Sequence, residues 1–103
     1  MNTRIRWAVA LAGLAVCGQA VAGDAAAGQA KAGICAGCHG PTGISGNPLW
    51  PNLAGQKEAY LVKSMKDYRD GARQDVNMSA IVQTLSDADI DNLAAFFAAQ
   101  PCD

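Results

Sequence analysis

The chain has 103 residues and a formal net charge of −1 at pH 7, a length that permits at most one domain. No basic stripe interleaved with aromatic residues is present, which argues against a nucleic-acid partner.

Residues 1–22 read as a cleavable secretory signal. Arg4 and Arg6 form a positive start, an uncharged and mostly apolar run extends from Trp7 to Gly18, and Ala20-Val21-Ala22 offers small residues for cleavage. The run stops at Gln19, short of the roughly 20 apolar residues that a membrane-crossing helix needs. Lipidation at Cys17 is disfavoured by the branched Val16 before it. The expected product is 23–103, exported to a periplasm. Here Lys31, Lys57, Lys63, Lys66, Arg69 and Arg73 face nine acidic residues. Large aromatic surface comes only from Trp50, Tyr60, Tyr68, Phe96 and Phe97. Domains this small and this underfilled commonly rely on a disulfide, a metal or a cofactor.

Asp24 is a suitable N-cap for a helix over Ala25 to about Ala36, which delivers the cluster Cys35-Ala36-Gly37-Cys38-His39. From Gly40 to Gly55 the chain holds four glycines and three prolines, and an irregular stretch this long in a small domain usually carries function. Gln56 to Tyr68 reads as a second helix, with Tyr60, Leu61, Met65 and Tyr68 approximately on one side. After Gly71 a loop leads to Met78, and Ala80 to Leu85 can form a short helix. Ser86 and Asp89 match a capping box before the last helix, whose apolar face carries Ile90, Leu93, Phe96 and Phe97 and which Pro101 closes. No strand pattern and no repeat appear. The expectation is an all-α domain of about four helices with long loops.

The cysteine spacing alone allows three uses. A thioredoxin-like switch requires an α/β context, which this chain lacks. A structural zinc site requires four ligands, yet no second Cys/His pair follows. The third use is attachment of a c-type haem, for which Cys-x-x-Cys-His is the signal. Two thiols bonded to the porphyrin edge would bring His39 beneath the iron. A sixth ligand is then needed, and Met78 suits it by its position beyond a long loop. Met65 competes, but its spacing with Leu61 and Tyr68 fits a core methionine.

Taken together, these segments resemble the class I c-type cytochromes, especially small bacterial monohaem proteins and the half-domains of dihaem ones. The likeness runs through CAGCHG (35–40), WPNLAGQ (50–56), YRDGAR (68–73), NMSAI (77–81) and LSDADIDNLAAFFA (85–98). It implies a class I cytochrome c fold around one covalent haem c, with thioether bonds from Cys35 and Cys38 and iron ligation by His39 and Met78. Pro51 matches the proline whose carbonyl accepts a hydrogen bond from the ligating histidine. Trp50, Leu53, Tyr60, Ile81 and Leu85 are candidates for the apolar wall. The first and last helices are expected to cross, with Phe96 or Phe97 on the small face of Gly28, Ala32 and Gly33. Where many relatives carry an aromatic before the motif, this chain has Lys31 to Ile34, so a crossing closer or looser than usual is expected.

Two strong axial ligands leave no open iron position, so the expected activity is one-electron carriage and not catalysis. The expected partners are an electron donor and acceptor, such as a respiratory complex or a terminal oxidase or reductase. Alternatives are a haem-based gas binder in which Met78 dissociates, and an electron-transfer subunit of a larger oxidoreductase. Cys102 is left without a partner once the other thiols are used, which predicts partial disulfide-linked dimerisation.

Overall fold

The computed structural model describes residues 23–102 and, before them, Gly13 alone, so the leader expected over 1–22 lies, that residue aside, outside the described residues. Five helices and no strand are present among the described residues: α1 Ala25–Lys31, α2 Gly33–His39, α3 Glu58–Asp70, α4 Val76–Val82 and α5 Asp87–Ala98. No helix among them is long and apolar enough to cross a membrane.

Asp24 caps α1 as its sequence position implies, accepting hydrogen bonds from the Ala26 and Ala27 amides. Its own amide donates to Asn92 Oδ1 at 2.9 Å, which fastens the start of α1 to α5. The expected single first helix is divided at Ala32. There the amide donates to Gln29 O, three residues back, a tighter turn that separates α1 from α2. The cluster therefore lies inside a helix, with His39 as its last residue. Gly40 then turns at φ 82°, and a Cβ there would lie 2.0 Å from Ile44 O, so only glycine fits.

α5 is the centre of the molecule. Ser86 and Asp89 form the capping box that the sequence predicts, and Ile90, Leu93 and Ala94 are fully buried. Leu61 of α3, Val82 of α4, Leu85 and Ala32 join them in one apolar cluster with Phe96 and Phe97. The two phenylalanine rings meet edge to face at 5.0 Å.

The helix crossing is tight at one point and open at another. At Gly28 the backbones touch, because an added Cβ would lie 2.0 Å from Asn92 O and 2.9 Å from Phe96 Cβ. At Gly33 nothing lies within 4 Å, and a surface recess of about 350 Å³ opens between Ala32, Gly33, Ala36 and Phe96. Gly33 thus stands outside the contact expected of it. Two ion pairs tie elements together at the surface: Lys31 to Asp89 at 2.9 Å and Arg69 to Asp87 at 2.6 Å.

α4 begins at Val76, four residues before the start expected from sequence. Asp75 caps it, accepting from the Asn77 and Met78 amides at 2.9 Å each. Met78 is accordingly held in a first helical turn and not on a loop.

Candidate functional site

A cavity of about 440 Å³ lies between α2, the 49–56 segment, α3 and α4, a size typical of small-molecule and cofactor sites. Every site residue expected from the sequence lines it: Cys35, Cys38 and His39 from α2, Trp50, Pro51 and Leu53 from the loop, Tyr60 from α3 and Met78 from α4. Ile81 and Leu85 line it as well. Chain segments far apart in sequence thus converge on one apolar space, which accounts for the underfilled core.

His39 is 6% exposed, and its Nδ1 lies 2.7 Å from the Pro51 carbonyl oxygen. The carbonyl can only accept, so Nδ1 carries the proton and donates. Nε2 is then the ring nitrogen with a free lone pair, the form in which a neutral imidazole ligates a metal. The loop that presents Pro51 is itself fastened at several points. Ser45 donates its amide to Asn52 Oδ1 at 2.7 Å, and its hydroxyl lies 3.2 Å from Cys38 O. Gly43 O accepts from both Leu53 and Ala54, and the Gly55 amide donates to Phe97 O at 2.9 Å.

Burial, then the neighbouring Cys38, pushes the Cys35 thiol up to about 11. A redox switch or zinc ligand works through a thiolate, favoured by an electropositive setting that lowers the pKa. Cys35 has the opposite environment, buried and beside a second thiol. No group of three His, Cys, Asp or Glu side chains among the described residues could hold a metal ion by itself. The donor set therefore fits an iron already carried in an organic ring: two thiols, one imidazole with its second nitrogen satisfied, one thioether and apolar walls.

Met65 lines the same cavity while packing against the core cluster, so it is both the core residue expected and a neighbour of the site. The mouth is apolar, with Leu49 83%, Ile34 45% and Trp50 36% exposed. Trp50 and the half-exposed Tyr60 hence form rim as much as wall. Sequence reasoning overlooked the polar lining residues Ser64, Arg73 and Asn77. Their signal was present in part, because Tyr60, Ser64 and Tyr68 recur every fourth residue along α3.

The family profile described as cytochrome C oxidase, cbb3-type, subunit III matches residues 22–97. Cytochrome c4 of Pseudomonas aeruginosa is 50% identical over 67 residues, covering 65% of this chain and 33% of that protein. Cytochrome c-554(548) of Halomonas halodenitrificans is 49% identical over 71 residues, covering 66% of this chain and 86% of that protein. The crystal structure of reduced recombinant cytochrome c4 from Pseudomonas stutzeri aligns with a TM-score of 0.74 at 40% identity, over 77% of this chain and 46% of that one. This chain thus spans 33% of the Pseudomonas aeruginosa cytochrome c4 and under half of the solved one.

Proposed function

The chain belongs to the class I c-type cytochromes, whose fold it has and whose cofactor is covalently bound haem c, and from that premise we propose that it is a one-electron carrier holding a single haem through Cys35 and Cys38, with His39 and Met78 as iron ligands. When bound, the haem supplies an iron that gains and loses one electron. His39, locked by Pro51, presents Nε2 in a fixed orientation and with raised basicity. Met78 offers a thioether sulfur, which favours the reduced state relative to a second imidazole. Leu53, Leu61, Ile81 and Val82 exclude water from the space between them, which disfavours net charge there. Ile34, Leu49 and Trp50 form an uncharged rim on which a redox partner can approach closely.

The observation that carries this reading is the 2.7 Å contact between His39 Nδ1 and Pro51 O on a buried ring. It selects one nitrogen of the chain's only histidine for ligation. The test is a pyridine haemochrome spectrum with the mass of the purified protein, which reads covalent haem, its number and removal of residues 1–22 together. One haem per chain is expected, with a weak methionine-to-iron charge-transfer band in the ferric protein that Met78→Ala abolishes and Met65→Leu retains. Loss of that band in Met65→Leu alone would reassign the sixth ligand. Resistance of the ferrous protein to carbon monoxide favours electron carriage, whereas rapid binding favours a gas sensor.

In this reading the protein is exported to the periplasm, acts without catalysing a reaction of its own, and exchanges electrons with a protein donor and acceptor. A second reading is an electron-transfer module of a larger oxidoreductase, favoured by the matching profile's description as an oxidase subunit. Purification as a stable complex with other subunits would select it over the free carrier.

A further inference from the structure

The hydrogen bond from His39 to Pro51 joins the end of α2 to a loop twelve residues further on, and one residue between them reaches both sides of it. Ser45 is half-buried. Its amide donates to Asn52 Oδ1 at 2.7 Å, and Asn52 directly follows Pro51. Its hydroxyl lies 3.2 Å from Cys38 O, and Cys38 directly precedes His39. Ser45 therefore holds the chain neighbour of each partner in the His39–Pro51 bond, and the contacts close into a ring: His39, Pro51, Asn52, Ser45, Cys38 and back to His39.

A hydroxyl has one proton to give and two lone pairs. The Ser45 hydroxyl accepts from the Asn47 amide at 3.1 Å, and its proton has Asn47 O at 3.0 Å as a second acceptor beside Cys38 O. Asn47 in turn receives the Leu49 amide on its side chain at 2.9 Å and the Trp50 amide on its carbonyl at 3.1 Å. The chain is thus fixed through Asn47 as it enters Pro51 and through Asn52 as it leaves. Packing contributes little here, since Leu49 is 83% exposed and Trp50, Pro51 and Asn52 are exposed as well. Hydrogen bonds centred on Ser45 decide where the Pro51 carbonyl stands.

We infer that Ser45 sets the strength of His39 as an iron ligand, by clasping Cys38 and Asn52 so that the Pro51 carbonyl stays in line with Nδ1, and that this lowers the reduction potential of the site. The inference rests on the haem reading above. A carbonyl that accepts from Nδ1 makes the imidazole a more basic donor. Ferric iron, with one more positive charge than ferrous, gains more from that donor. Hydrogen bonds weaken steeply as they bend, so a carbonyl free to shift gives part of the effect away. Ser45 touches neither the imidazole nor the ring that carries the iron, and acts through His39 as a positioning residue.

The test compares mature, haem-loaded Ser45→Ala, Ser45→Thr, Asn52→Ala and Asn52→Asp, each beside its haemochrome spectrum. Two quantities are read: the midpoint potential, and the exchange rate of the His39 Nδ1 proton by NMR of the ferrous protein. In Ser45→Ala the proton is expected to exchange about fivefold faster, the factor that the net worth of one hydrogen bond allows. The ferric-to-ferrous ratio is expected to move about threefold towards ferrous, because part of the His39–Pro51 bond survives, a rise of about 28 mV for one electron. Ser45→Thr keeps the hydroxyl and is expected to restore the wild-type values. Asn52→Ala is expected to raise the potential as well, with Asn52→Asp restoring it through the retained Oδ1. Where Ser45→Ala fails to mature, the Asn52 pair carries the comparison. Asp24→Ala, which removes the cap of α1, is the control for general loosening: it is expected to lower the thermal midpoint and leave the potential alone. An unchanged or lowered potential in Ser45→Ala, whatever its exchange rate, or an equal rise in Asp24→Ala, would overturn the inference while leaving the haem reading intact. Absence of covalent haem from the wild-type protein would remove both.

Discussion

Adding one methyl group at Gly28 tests the helix crossing on which the rest of the fold depends. The new Cβ would lie 2.0 Å from Asn92 O, and its obstacle is a backbone carbonyl that cannot rotate away. The helices must part by about an ångström, which loosens Ala32 and Phe96 in the same cluster. Overpacking of this kind reaches about 3 kcal/mol, against a gain of about 1 kcal/mol in helix propensity for replacing glycine. The net loss of about 2 kcal/mol corresponds to a fall of about 8–16 °C in melting temperature for a domain of this size. Gly33→Ala is the matched control. Nothing lies within 4 Å of that position, so the reduced freedom of the unfolded chain is expected to stabilise it by about 0.5 kcal/mol. The assay is thermal unfolding of the haem-loaded variants by circular dichroism at 222 nm. A Gly28→Ala protein that melts at or above the wild-type temperature would refute the close crossing.

Three more outcomes follow from the same structure. On the proposed attachment, replacing both Cys35 and Cys38 by serine removes the covalent hold on the cavity's contents, and the resulting chain is expected to lack a cooperative thermal transition; a sharp native-like one would show that the apolar core suffices alone. Acid should destabilise the fold through α5. Asp87 is held below the usual carboxylate range by Arg69 and Asp89 by the Ser86 amide and then Lys31. Groups depressed in the folded state add stability above their unfolded values, so that contribution disappears as pH falls from about 4 downward. Asp89→Asn should flatten the pH dependence of the melting temperature in that window, and an unchanged profile would contradict the assignment. Cys102 is exposed, with Sγ 3.6 Å from Ala54 O. A dimer band on non-reducing gels, absent in Cys102→Ser, is expected, whereas equal mobility with and without reductant excludes it.

Much of the site was legible because its chemistry needs rare residues. One histidine, two spaced thiols and a proline-rich loop leave few alternatives, and the Ser86–Asp89 cap marks its helix by local hydrogen bonding alone. The division at Ala32 carried only a weak signal, since alanine favours a helix and Gly33 behind it weakens one without fixing where it stops. The early start of α4 had a signal in Asp75, masked by the β-branched Val76 behind it. Arg73 escaped notice for a different reason. Its position at the cavity depends on the turn after α3 and on Tyr68, a tertiary arrangement that charge counting reads as a solvated face.

The bond from Gly55 to Phe97 gives the molecule a built-in order of completion. Cys35 to His39 are synthesised more than fifty residues ahead of Phe97. Until the last helix arrives, the loop bearing Pro51 lacks one of its anchors and the cradle stays open on that side. Loading can therefore precede closure, and α5 acts as the latch on the loop whose Pro51 carbonyl orients His39.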